Sequence, residues 1–404
     1  MVKQSVSCMG QIFSSERFGR PQFLAGLLLL VFLGECVWLI AHEYRTTNAG
    51  DEEELALVEQ GVAQWRGHGI AGASQAGNAQ DAPDPDHSPL WYLIASAPVA
   101  WLRVPPDFRS WIWLTRAPYM LIGVLFGASV WYVARRLYGN AGGYIALGLY
   151  CFSPAVIRSC ALWAAPPNVA PAWGTFGAVF TAIAVSHTLY APREVVLWNW
   201  RRIVLLAVSL TLAAGSLFGM AIVVPVLLGF MLYLAPERKS AAIAILAAAC
   251  LIAFLLLFAS YFFHPLLFVR GLGHARLLQG SWRSATMAAA YAHLLNEIAE
   301  SGPVLLLFIP VSVVVFASWR RSRYFGNTAP LIVAGLFLIL RIFAPHASGA
   351  AFGFTATIFF FIFVAGIMAD LLETRWREQV GAVVAGLVVA NAAWDLLALA
   401  RVAR

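Results

Sequence analysis

Residues 21–41 read PQFLAGLLLLVFLGECVWLIA, an apolar run broken by one acid, Glu35. Bilayer hydrocarbon is about 30 Å thick and an α-helix rises about 1.5 Å per residue, so about 20 apolar residues suffice to cross it. The run is too long for a signal-peptide core and no small-residue cleavage site follows closely, so it is expected to remain as a first span. The segment before it is polar and carries Lys3, Arg17 and Arg20.

Outward from this run the pattern repeats. Further spans are expected at about 111–134, 141–160, 169–190, 203–217, 218–234, 241–263, 303–318, 328–345, 352–370 and 380–400, about eleven with the first. Of the 404 residues 61% are hydrophobic and only 12% charged, and the mean hydropathy is +0.75. Soluble domains are roughly half apolar and a quarter charged, so a soluble globular fold is excluded. The expected fold class is an all-α integral membrane protein formed as a single bundle over 1–404, with no soluble C-terminal domain.

The formal charge is +7, but the basic residues fall in twos and threes between apolar runs rather than along one stripe, which argues against a nucleic-acid partner. They act as topology signals. With the N-terminus in the cytoplasm, Arg135/Arg136, Arg193 with Arg201/Arg202, Arg238/Lys239, Arg320/Arg321/Arg323 and Arg375/Arg377 all lie on the cytoplasmic side. The agreement holds only if the short apolar stretch 87–102, interrupted by Pro98, lies at the interface instead of crossing. The first outer loop is then 42–110, the second is 264–302, and the short 161–168 turn joins them on the outer face. Cys8, Cys36, Cys151, Cys160 and Cys250 show no Cys-x-x-Cys spacing and read as packing residues.

The first outer loop opens on Asp51 and Glu52, just past the first span. Carboxylates there can serve as general bases, although charge alone is equally the mark of a solvated face. His87 precedes the interfacial stretch, with His68 earlier in the same loop. Arg270, Arg276 and Arg283 in the second loop, and Arg341 near the outer end of its span, are cations that either meet an anion or snorkel to headgroups. Glu35 and Asp395 fall inside expected spans, where a buried hydrogen bond explains them as well as a function does. No Gly-rich phosphate loop or zinc-ligand spacing occurs, which argues against direct use of nucleotide sugars or ATP.

The order of several phrases resembles one family. Asp51-Glu52 after the first span, HisSerProLeuTrpTyrLeu at 87–93, ThrArgAlaPro at 115–118, AlaArgArgLeuTyrGly at 134–139 and a small-residue span ending SerPro at 153–154 are similar to polyprenyl-phosphate-sugar glycosyltransferases of the membrane-embedded type C fold. The branch resembled contains protein O-mannosyltransferases and bacterial lipid A aminoarabinose transferases. The resemblance covers roughly the first 190 residues. It implies a type C-like bundle with Asp51 as the base that activates an acceptor, and Arg116 near the outer surface as a phosphate ligand. Ser88 stands where the family has a proline, Asn168 where many relatives carry a second acid, and Phe218 where a lysine is common.

What the resemblance implies is a transferase moving a hexose or pentose from a polyprenyl-phosphate donor to a lipid, glycan or protein acceptor. Its site would comprise Asp51 and Glu52 as catalytic groups, Arg116, Arg341, Arg270 and Arg276 for the donor phosphate, and His87 and Asn168 for the acceptor. No prosthetic group and no metal-ligand set are expected, and a divalent cation is left open. The compact form suits a bacterial inner membrane with the site facing outward. A transporter or flippase, and a noncatalytic subunit of a cell-envelope complex, stay open as alternatives.

Overall fold

The computed structural model describes residues 21–43, 50–67, 87–103, 108–161, 168–190, 200–275, 280–344 and 349–402. The described residues are helical with no strand. Those long and apolar enough to cross a membrane number seven, or up to eight if a bent pair counts as one span. The protein is an integral membrane protein on that ground, because a backbone in hydrocarbon must satisfy its own hydrogen bonds.

The first helices are α1 (Pro21–Glu43), α2 (Gly50–Trp65), α3 (Leu90–Leu102) and α4 (Phe108–Cys151). Gly139 interrupts α4 with φ 76° and ψ −171°, a conformation that glycine adopts without penalty. The chain turns back there. Tyr150 Oη donates to the Gly123 carbonyl at 2.7 Å, whereas 27 residues of straight helix would separate them by about 40 Å. The two arms of α4 therefore run antiparallel. Arg135 Nε donates to Asn140 Oδ1 across the corner at 2.8 Å.

After α5 (Pro154–Ala161) and α6 (Val169–Thr188) comes α7 (Trp200–Ser216). Gly174 of α6 lies so close to α7 that a Cβ would collide with the Ala213 backbone, the small-residue contact that lets membrane helices approach. The chain breaks at the extended Leu217, makes a 3-10 turn over Phe218–Ile222 and continues as α8 (Val223–Leu234). Then follow α9 (Lys239–Ser260), α10 (Pro265–His274), α11 (Ala288–Ser301), α12 (Leu305–Ser318), α13 (Phe325–Phe343), α14 (Ala350–Leu372) and α15 (Arg377–Val402). Between α11 and α12 the axis bends by 103°.

The expected count of about eleven spans is not reached on length and composition. The α4 hairpin places two expected spans in one continuous element, and α7, α8 and α12 have only 17, 12 and 14 residues.

Hydrogen bonds sort the helix termini into two ends. At one, Tyr144 donates to the Pro21 carbonyl, Tyr138 to that of Gly326 and Arg202 to that of Ala184. The Phe230 and Tyr233 rings also pack on Phe325 there. This basic end gathers Arg135, Arg136, Arg201, Arg202, Arg320, Arg321, Arg323, Arg375 and Arg377. The opposite, loop end joins α2, α3, α10 and α11. At the centre of the bundle, every residue of α14 from Ala351 to Ala369 is buried.

Candidate functional site

The loop end is assembled around α3. Ser88 donates its hydroxyl to the Gly215 carbonyl at 2.5 Å and accepts the Leu90 N–H at 3.2 Å. It thereby pins the start of α3 to the break after α7. Tyr119 of α4 donates to the Trp91 carbonyl at 2.7 Å, fixing α3 against the first arm of the hairpin. From α2, Trp65 Nε1 donates to the Leu93 carbonyl at 3.0 Å and Gln64 Nε2 to Tyr92 Oη at 3.1 Å. Gly61 makes that packing close, since a Cβ there would collide with Ser96.

These contacts leave a cavity of about 710 Å³ between α3, α4 and α9, with walls that include Leu90, Ile94, Trp101, Pro118, Leu121 and Phe262. Its lining is almost wholly apolar. Ala117 and Pro118, two residues of the wall, directly follow Arg116. Arg116 is 1% exposed, one of the largest fully buried side chains in the protein. A guanidinium stays charged in any environment, so an arginine this deep has to be met by polar or charged groups.

Among the other expected site residues, Asp51 and Glu52 fall in the first turn of α2, and their side chains lie outside the described residues. Negative charge is favourable at that end of a helix. Arg276 and His68 also lie outside the described residues. Arg270 sits exposed on α10, which is held by packing of Phe268 against Phe254, Phe258 and Tyr261. His87 is half-buried beside Ser88. Asn168, also half-buried, precedes α6, where its carbonyl accepts the Ala172 N–H at 3.2 Å and its side chain makes no cap hydrogen bond.

Arg341 is engaged within the protein. Its Nε donates to the two Glu297 oxygens at 3.0 and 2.9 Å, Nη2 pairs with the same carboxylate, and Nη1 donates to the Ala344 carbonyl at 2.7 Å. Sequence reasoning missed Glu297 as this partner. Its signal was the amphipathic stretch Ala288–Ser301, which carries Glu297 and Glu300. It also treated Ser88 as a departure from a pattern, whereas Ser88 is the residue that anchors α3. Among the described residues no group of three or more His, Cys, Asp or Glu side chains comes together.

No family model matches the sequence, and no curated protein matches it. Among solved structures the chain is similar to the oligosaccharyltransferase of Archaeoglobus fulgidus, crystallised with zinc and sulfate, at 13% identity and a TM-score of 0.49 over 78% of this chain. The match spans 44% of that protein, so the chain covers less than half its length. The likeness is one of helix arrangement, and nothing about activity rests on it.

Proposed function

We propose that the chain is a membrane glycosyltransferase that moves a sugar from a polyprenyl-phosphate carrier to a lipid, glycan or protein acceptor. The observation that carries this reading is a buried arginine, Arg116, directly followed in the chain by residues of an apolar cavity at the loop end. A polyprenyl phosphate is an anionic head on a long apolar chain. Its head matches a guanidinium, which binds phosphate through two parallel hydrogen bonds. Its chain matches a groove lined by leucine, isoleucine and aromatic side chains.

In the proposed step Asp51, with Glu52 beside it, takes the proton from an acceptor hydroxyl or amine. The freed electron pair bonds to the anomeric carbon while the bond from that carbon to the phosphate oxygen breaks. The pair from the broken bond leaves on the polyprenyl phosphate. Negative charge therefore grows on the phosphate in the transition state, and a cation fixed in a dry surrounding stabilises it without reorganising. Arg116 has that role, and Arg270 and Arg276 of the second loop share in it. Arg341 joins them only if Glu297 releases it. His87 and Asn168 position the acceptor. The loop end then faces the outside of a bacterial inner membrane, with the basic end in the cytoplasm.

The test is release of polyprenyl phosphate by the purified protein from a panel of polyprenyl-phosphate sugars, with crude envelope acceptors supplied. Wild type should turn over, and Asp51→Asn should lose about 10²-fold or more while remaining folded. Arg116→Lys should also fall, because an ammonium cannot reproduce the bidentate contact. A wild type that binds the lipids yet releases nothing from any donor would end the transferase reading and leave a lipid-phosphate carrier or subunit.

A further inference from the structure

The second outer loop carries the two most exposed large apolar side chains among the described residues, Leu266 at 85% and Trp282 at 82%. Val269, Tyr291 and Leu295 are exposed with them. Apolar side chains gathered on one short segment mark a surface that something other than water covers.

The packing of α10 shows at what depth that surface lies. Its Phe268 meets Phe254 and Phe258 of α9, each at 5.0 Å between ring centres. Gly271 sits against the Tyr261 ring, with no room for a Cβ. Because α9 ends at Ser260, Phe254 lies about 9 Å inside that end. The short helix therefore folds back beside the last turns of a helix long and apolar enough to cross the membrane, rather than rising clear of it. Leu266 and Val269 are on the side of α10 away from this contact, and α9 exposes Phe254 and Leu255 at the same depth.

α12 runs from the loop end to the basic end, and α11 meets it at 103°, so α11 lies nearly in the membrane plane. Its surface is divided three ways. Ala290, Leu294 and Ile298 are buried against the bundle. About 100° further round, Tyr291 and Leu295 form an exposed apolar side. On the remaining side His293, Asn296 and Glu300 are exposed and polar. A helix lying in an interface beside a bundle needs those three faces, one for protein, one for acyl chains and one for water. Between α10 and α11 the Trp282 ring packs on Phe343, the last residue of α13, at 4.4 Å between ring centres. Tryptophan is enriched where spans meet water, and the exposed Arg283 beside it suits lipid phosphates.

We infer that α10, Trp282 and α11 seat the second outer loop in the leaflet at the loop end, with Leu266, Val269, Trp282, Tyr291 and Leu295 among the upper acyl chains. The covering partner is the bilayer rather than a second copy or another protein, because the surface adjoins the exposed side of a span and carries interfacial residue types. It is separate from the loop-end cavity, which takes Leu256, Ala259 and Ser260 from another side of α9. It stands whether or not the transferase reading does.

The experiment places nitroxide labels at Leu266→Cys, Val269→Cys and Leu295→Cys, and at His293→Cys and Glu300→Cys for comparison. Each is made in the full chain with Cys8→Ser and Cys250→Ser and reconstituted in vesicles of phosphatidylethanolamine and phosphatidylglycerol. Spin relaxation then reads collisions with oxygen, which concentrates in lipid, and with a water-soluble nickel chelate. The oxygen-to-nickel ratio should be several-fold higher at the first three positions than at the last two. Equal ratios put the loop in water and overturn the proposal. Exclusion of both reagents from the first three positions also overturns it, because that identifies a protein partner or a second copy. If a labelled variant does not fold, the wild-type chain is irradiated in vesicles holding a phospholipid with a diazirine on its upper acyl chain. Adducts are expected within residues 265–301 as well as on α9, and adducts on α9 alone overturn the proposal.

Discussion

Two Arg–Glu pairs of the same chemistry sit at opposite ends of the bundle. At the basic end, Arg321 and Glu373 meet at 2.6 Å with side chains 61% and 66% exposed. At the loop end, the side chains of Arg341 and Glu297 are 7% and 28% exposed. The first pair lies in water, where attraction is screened and little is lost if it opens. The second is largely removed from water, where opening the pair costs more. Arg321 at the basic end thus stands in water, whereas two arginines at the loop end, Arg116 and Arg341, are buried.

The largest expected effect separates the two pairs directly. Glu297→Gln removes the carboxylate that meets Arg341 and should destabilise the protein by about 3 kcal/mol, read as a drop in the unfolding midpoint. Replacing both partners, Arg341→Met with Glu297→Leu, should recover most of that loss. If the single change were as mild as one at the basic end, the loop-end pair would be solvated and the contrast would fail. A middle-sized effect tests the loop-end scaffold itself. Gly61→Val pushes a side chain into Ser96 and should cost about 1–3 kcal/mol by prising α2 from α3. Limited proteolysis within residues 50–67 should accelerate in step. The smallest effect belongs to Arg321→Gln, expected to shift stability by less than about 1 kcal/mol. A larger change there would show that the basic end is more than a topological marker.

Much of the architecture was legible in the sequence for a physical reason. Apolar runs of bilayer length and paired basic residues are local signals, and each can be read without knowing its neighbours. The corner of α4 at Gly139 falls in the gap between the spans expected at 111–134 and 141–160, beside Arg135/Arg136, and α3 was expected from 87–102 and found as Leu90–Leu102. The span count differed because α7, α8 and α12 are short, and length in a bundle is set by packing and breaks as well as by composition.

The site was less legible because its parts are far apart in the chain. The cavity needs α3, α4 and α9 side by side. The Glu297 contact with Arg341 spans 44 residues. Arginines in apolar surroundings could be flagged individually, but what they meet could not. Glu35 and Asp395 show the converse. A buried hydrogen bond would explain each as well as a function would, yet no described group donates one to either carboxylate.

The enclosure of α14 has a consequence for how the molecule is made. From Ala351 to Ala369 it is surrounded by protein, yet it is the second-last helix in chain order. The helices that precede it in the chain therefore cannot make the contacts they have with it until it has been synthesised, and the packing seen here is complete only once it is in place. Assembly of the bundle is gated by the arrival of its own core rather than by the helices that insert first.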